Sequence, residues 1–140
     1  MNKNHKEIYC WKIQIEDLSV YLASSKSGAV KVNLALKEGM GALKYFQNRF
    51  PQYNLFEDAE INDPLVKAVE ARLMNKPIND RLSFDIPCTP FQLMTWKAIA
   101  QIPFGQTKTY GEIAEMIGKK GGARAVGQAM NKNPLPVIFP

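Results

Sequence analysis

The sequence predicts an α+β fold in two parts, with strands concentrated in the first part and helices in the second. Three observations carry that prediction. Apolar residues alternate with polar ones over short stretches between residues 8 and 36. Two capping boxes that open helices, Thr89-Pro90-Phe91-Gln92 and Thr109-Tyr110-Gly111-Glu112, lie beyond Pro87. The charge divides at the same place: residues 1–86 hold 12 Lys and Arg against 11 Asp and Glu, and residues 87–140 hold 6 against 2. The expected domains are therefore 1–86 and 87–140.

In the first part, Ile8, Cys10, Ile13 and Ile15 mark a strand with a phase slip. Glu16-Asp17 makes a turn into a second strand, Leu18 to Ala23, and Gly28 opens a third, Ala29 to Leu36. Between Lys37 and Phe50 the residues Met40, Leu43, Phe46 and Phe50 follow helical spacing, and Pro51 closes the segment. Asp63-Pro64 reads as an N-cap with proline at the first helical position, where its missing N–H costs nothing. That helix is expected to run to Lys76, and Leu82 to Ile86 to form a short strand.

In the second part, the helix opened by Thr89 carries Leu93, Trp96, Ile99 and Ala100 on one face, and Pro103-Phe104-Gly105 is a turn. The helix opened by Thr109 runs through Ile113, Ala114 and Ile117 until Gly118 ends it. Lys119-Lys120-Gly121-Gly122 links it to a third helix, Ala123 to Asn131. A short helix, a glycine-bearing turn and a second helix fit a helix-turn-helix, and equally a hairpin used only for packing. Val137-Ile138-Phe139 reads as a buried strand.

Composition removes several function classes. With 46% apolar and 22% charged residues the 140-residue chain can form a core, which excludes a disordered tail. No run approaches the roughly 20 apolar residues of a membrane span, and Met1 to Lys6 lacks the apolar stretch of a secretory signal. Two cysteines, Cys10 and Cys88, are too few for a disulfide scaffold and form no CxxC pair. A soluble, reduced, cytoplasmic protein is expected. A zinc site from His5, Cys10 and Cys88 fits no ordinary ligand spacing. Walker, GxSxG and HExxH motifs are absent, and no histidine follows Cys88 to activate it. No metal site is expected.

The third helix of the second part is unusual. Gly121, Gly122, Ala123, Ala125, Gly127 and Ala129 are small, and Arg124 is the long side chain near its N-terminus. Glycine costs about 1 kcal/mol in a helix interior, so Gly127 implies close approach of another surface. That surface is a neighbouring helix or a DNA groove, and composition does not choose between them. The helix N-terminus favours a phosphate. Tyr110 is open as a core residue or a phosphate contact, and Asn133 as a turn residue or a donor to a buried partner. The basic excess of 87–140 suits a phosphate-facing surface or a solvated face.

Residues from Phe84 to Pro140 closely resemble the methylated-DNA–protein-cysteine methyltransferases, also called O6-alkylguanine-DNA alkyltransferases. The matching stretches are Thr89-Pro90-Phe91-Gln92 with Trp96, Ile102-Pro103-Phe104-Gly105-Gln106-Thr107, Tyr110-Gly111-Glu112-Ile113-Ala114, Arg124-Ala125-Val126-Gly127 and Asn133-Pro134-Leu135-Pro136. Cys88 departs from the glycine more usual before Thr-Pro-Phe-Gln. The first 83 residues have the length and the strand-helix order of the family's ribonuclease-H-like N-terminal domain.

The resemblance implies a winged helix-turn-helix that binds the minor groove of double-stranded DNA containing alkylated guanine and flips the damaged base out. Arg124 matches the arginine that takes the flipped nucleotide's place, and Tyr110 the tyrosine that crowds the adjacent phosphate. Ala123, Ala125 and Gly127 match the helix face that fits the groove, with Thr109 and Gly122 as further DNA-facing positions. Asn133 matches the asparagine that braces the active-site turn. The family moves the alkyl group in one displacement onto its own cysteine, without cofactor or turnover, and a monomer is expected here.

That cysteine follows the Asn-Pro-x-Pro stretch in a Pro-Cys-His-Arg motif, where a neighbouring histidine, oriented by a carboxylate, makes the cysteine thiolate available. Pro140 matches the motif's proline. The nucleophile, cysteine or selenocysteine, is thus expected right after Pro140, with the second domain truncated and the 140 residues inactive by themselves. The alternative is a non-catalytic, alkyltransferase-like protein that binds DNA lesions.

Overall fold

The computed structural model describes residues 6–37, 39–78, 82–103 and 105–138. The chain forms two compact units, Met1–Ile86 and Pro87–Pro140. Among the described residues it is a mixed α+β fold with one four-stranded sheet and five helices.

The first unit is built on β1 (Glu7–Ile15), β2 (Leu18–Ser25), β3 (Gly28–Leu36) and β4 (Asn54–Glu57), in the order β3-β2-β1-β4. β1, β2 and β3 pair antiparallel, and β4 joins β1 in parallel. The β1–β2 register is continuous from Tyr9 opposite Ser24 to Ile15 opposite Leu18, so the expected phase slip is no bulge. Ile8 and Cys10 lie on one face, and Ile13 and Ile15 on the other. The register shift falls instead in the β2–β3 pair, between Ala23 and Ser24. Every residue from Ser19 to Ser25 is buried, and two helices pack against β2.

The helix expected over 37–50 is only α1 (Ala42–Gln47), which sets Ala42, Tyr45 and Phe46 on Ile8, Cys10, Tyr21 and Ala23. The rings of Tyr21 and Tyr45 stack with centroids 3.7 Å apart. The Tyr21 hydroxyl donates to the Met40 carbonyl at 2.6 Å. β4 was not expected from the sequence at all.

The start of the next helix is a larger correction. α2 (Ala59–Leu73) is capped by Asp58, whose Oδ1 accepts the Ile61 N–H at 2.9 Å, and not by Asp63. Pro64 sits inside the helix, where it removes one ladder bond. Tertiary contacts outweigh that loss: Leu65, Ala68 and Val69 are buried, and the buried Asn62 amide donates to the carbonyls of Tyr9 at 3.0 Å and Asp58 at 2.8 Å. The helix ends at Leu73 and not Lys76, with Asn75 in a left-handed conformation at φ 56°.

The expected strand Leu82 to Ile86 is an isolated bridge, Phe84 to Ala29. There the Ala29 N–H donates to the Ser83 carbonyl at 2.9 Å and the Asp85 N–H to the Ala29 carbonyl at 2.8 Å. The approach is so close that a Cβ on Gly28 would stand 2.5 Å from the Ser83 carbonyl carbon.

The second unit holds α3 (Pro90–Ala100), α4 (Tyr110–Met116) and α5 (Ala123–Asn131). Both capping boxes are complete, since each threonine accepts from the backbone N–H three residues on and that residue's side chain accepts in return. Ile99, Ile113, Ala114 and Val126 form its core, with Phe91, Ala98, Ile102 and Met130 packed against them. Residues 136–138 make a turn in place of the expected strand, with Leu135 and Ile138 buried and Val137 at φ 79°. Phe139 and Pro140, like Phe104 and His5, lie outside the described residues.

Candidate nucleic-acid interface

The second unit presents α5 through a short series of fixed contacts. Gly118 ends α4 at φ 75°, and the Lys119 N–H returns to the Ala114 carbonyl at 2.8 Å. The Gly122 N–H then donates to the Lys119 carbonyl at 2.9 Å, where a Cβ on Gly122 would come within 2.9 Å of that same oxygen. The turn is therefore too tight for a larger residue at 122. From the other side, the Trp96 indole N–H donates to the Ala129 carbonyl at 2.9 Å, and Trp96 is buried. These bonds set α5 on α3 and α4.

Burial divides α5 into two faces. Val126 and Ala129 are buried, and Met130 is partly so. Arg124, Ala125, Gln128 and Asn131 are exposed. Positions 124, 128 and 131 recur at helical spacing, so Gln128 and Asn131 share the outward face with Arg124. The sequence reading did not single out Gln128 or Asn131; their four- and seven-residue spacing from Arg124 was the available signal.

Electrostatics favour an anion here. Gly122 caps α5 without a side-chain hydrogen bond, which leaves the first N–H groups of the helix for an outside acceptor. Arg124, Lys119 and Lys120 are exposed, and none of them is ion-paired among the described residues. The acids of residues 87–140 are Glu112 and Glu115, both on α4. Lys108 approaches Glu112 at 3.8 Å.

The remaining expected positions are distributed as follows. Tyr110 opens α4 with half of its surface exposed, which answers the core alternative. Its ring lies against Gly127 of α5. Gly127 and Ala123 are half-buried and do not stand on the most outward line of the helix. Thr109 is exposed, but its Oγ1 already accepts the Glu112 N–H at 3.1 Å. Asn133 is half-buried and its Oδ1 accepts the Leu135 N–H at 2.9 Å, an Asx turn that bends the chain after α5.

Cys10 lacks the setting of a nucleophile. Cys10 is fully buried in the sheet of the first unit, and burial, with the Glu57 carboxylate second, pushes its thiol up to about 12. Cys88 is half-buried just before the cap of α3.

Comparison with known proteins agrees with this geometry. Residues 90–140 match the family model for the DNA-binding domain of 6-O-methylguanine DNA methyltransferase. The inducible methylated-DNA–protein-cysteine methyltransferase of Bacillus subtilis is 33% identical over 140 residues, covering all of this chain and 78% of that protein. The Mycobacterium leprae methylated-DNA–protein-cysteine methyltransferase is 48% identical over 59 residues, 42% of this chain and 36% of that protein. Among solved structures, Mycobacterium tuberculosis OGT in complex with DNA superposes with a TM-score of 0.65 at 28% identity, over 96% of this chain and 74% of that one. The match over the full 140 residues, together with the family model on the α3–α5 unit, shows that the chain belongs to the methylated-DNA–protein-cysteine methyltransferase family.

Proposed function

We propose that this chain recognises O6-alkylated guanine in duplex DNA, with α5 in the minor groove and the damaged nucleotide turned out of the stack. The observation that carries the reading is the outward face of α5. Arg124 stands there unpaired by any carboxylate among the described residues, beside an uncapped helix N-terminus and two exposed lysines. Arg124 fills the space left by the extruded nucleotide, Tyr110 presses on the neighbouring phosphate, and Ala125 keeps the groove-facing surface low. Asn133 braces the turn that follows α5, next to the reacting base.

In this reading residues 87–140 belong to a winged helix-turn-helix domain and residues 1–86 to a ribonuclease-H-like domain. Three antiparallel strands, a helix and a fourth strand parallel to β1 support the second assignment. The protein acts as a monomer. The reaction is a single displacement: a sulfur or selenium nucleophile attacks the alkyl carbon as the bond to the guanine 6-oxygen breaks. The acceptor is the cysteine, or a selenocysteine in its place, of the family's Pro-Cys-His-Arg motif, which follows the stretch matched by Asn133-Pro134-Leu135-Pro136. Cys10 is excluded from that role by its burial and its raised pKa. The same observation favours, as a second reading for the 140 residues themselves, lesion binding without chemistry.

The test is binding of the 140-residue chain to a labelled duplex with one O6-methylguanine and to its unmodified twin. A preference for the lesion that falls when Arg124→Ala is introduced is expected, with a smaller loss on the plain duplex. Equal affinity for both duplexes would sink the recognition reading. Weighing the chain after incubation with alkylated DNA separates the two chemical readings, and no mass gain is expected from these 140 residues.

A further inference from the structure

The contact between Tyr110 and Gly127 has a consequence for extrusion. Tyr110 is the first residue of α4, and its ring is half-exposed at the interface. The ring lies across α5 at Gly127, where a Cβ would stand 3.2 Å from Cε2 and 3.3 Å from Cδ2. Those distances are shorter than ordinary carbon–carbon contact, so even alanine would have to move the ring by a few tenths of an ångström. Val126 and Ala129, on the inner side of α5, are buried in the core.

We propose that Gly127 is a positioning residue for Tyr110: its missing side chain is the seat that holds the phenol ring at the height where it meets the DNA backbone. This rests on the reading of Tyr110 as the residue that presses on the phosphate. It also reassigns the glycine. Gly127 lies away from the most outward line of α5, which is Arg124, Ala125, Gln128 and Asn131. The glycine is there to admit a tyrosine ring, and not chiefly to let the helix lie close to the groove floor.

The two roles for Gly127 predict opposite results in a double-mutant cycle. The variants are Gly127→Ala, Tyr110→Ala and both together, in the 140-residue chain. The readouts are fluorescence of a 2-aminopurine placed beside the lesion, which reports extrusion, and affinity for plain duplex. With Tyr110 present, Gly127→Ala is expected to lower extrusion by about threefold or more, a coupling ordinary for residues in contact. In the Tyr110→Ala background the same change is expected to do nothing further. Equal loss in both backgrounds, or a plain-duplex loss as large as the extrusion loss, would assign Gly127 to groove fit and overturn the proposal.

A DNA-free measurement keeps the proposal separable from the reading it rests on. The unsubstituted chain should show a nuclear Overhauser contact between the Gly127 α-protons and the Tyr110 ring protons. Its absence overturns the seat directly. If that contact is present but the unsubstituted chain has no preference for the lesion, then the recognition reading fails, and the functional half of this proposal fails with it.

Discussion

The indole N–H of Trp96 on α3 donates to the backbone carbonyl of Ala129 on α5 at 2.9 Å, and the whole of Trp96 is buried around that bond. A side chain that both fills the core and fixes a helix couples stability to interface geometry. Trp96→Phe keeps an aromatic ring but removes the donor and opens a cavity. It should lower stability by about 2 kcal/mol, from the lost volume and the lost hydrogen bond. Denaturant unfolding followed by far-UV circular dichroism measures it. A loss under a few tenths of a kcal/mol would mean that α5 is held by other contacts.

The two helices opened by threonine were legible in the sequence because a capping box is complete within four residues. Thr89 with Gln92, and Thr109 with Glu112, satisfy one another without help from the rest of the fold. The misread elements depend on distant partners. Asp63-Pro64 looks like a helix start locally, yet α2 begins at Ala59 behind the Asp58 cap, with Asn62 bonded to Tyr9, 53 residues away. β4 is four residues long with only Leu55 and its neighbours to mark it, and it becomes a strand only through parallel pairing with β1. At the candidate interface, Arg124 stood out in the sequence as the long side chain among small ones. The seat of Tyr110 on Gly127 was not, because it depends on how α4 crosses α5.

Thr109 was expected to face DNA, and its hydrogen bonds give it a measurable job as a helix cap. Its Oγ1 accepts the Glu112 N–H at 3.1 Å, and its own N–H donates to Glu112 Oε1 at 3.3 Å. Thr109→Ala should cost about 1 kcal/mol of stability, the ordinary cost of losing an N-cap, and Thr109→Ser should restore most of it. Thermal unfolding of both variants decides this. If serine fails to rescue, the methyl group and not the hydroxyl matters.

Lys120 is exposed in the turn before α5 and has no carboxylate partner among the described residues. If it neutralises one DNA phosphate, Lys120→Ala should reduce the slope of log affinity against log salt by about 0.9. The loss should be the same on lesion and plain duplex, because a phosphate contact carries no base information. Titrations at several salt concentrations test both parts. An unchanged slope would place Lys120 off the DNA path.

Cys10 links the first unit's core to pH. Its thiol is fully buried beside β2, and burial first, then the Glu57 carboxylate, raises it from 9.0 to about 12. A raised folded value favours the neutral form, so the contribution to stability is complete below 9.0 and is lost as the pH rises toward 12. In that window the unfolded chain releases a proton that the folded chain keeps, and unfolding gains from it. Cys10→Ala removes the titrating group at the cost of a small cavity. It should therefore be less stable than the unsubstituted chain at neutral pH and lose less on going from pH 9.0 upward. Denaturant midpoints along that pH series read the difference in slope. Parallel curves for the two proteins would show that the thiol ionises as easily folded as unfolded, which a fully buried group of this kind should not do.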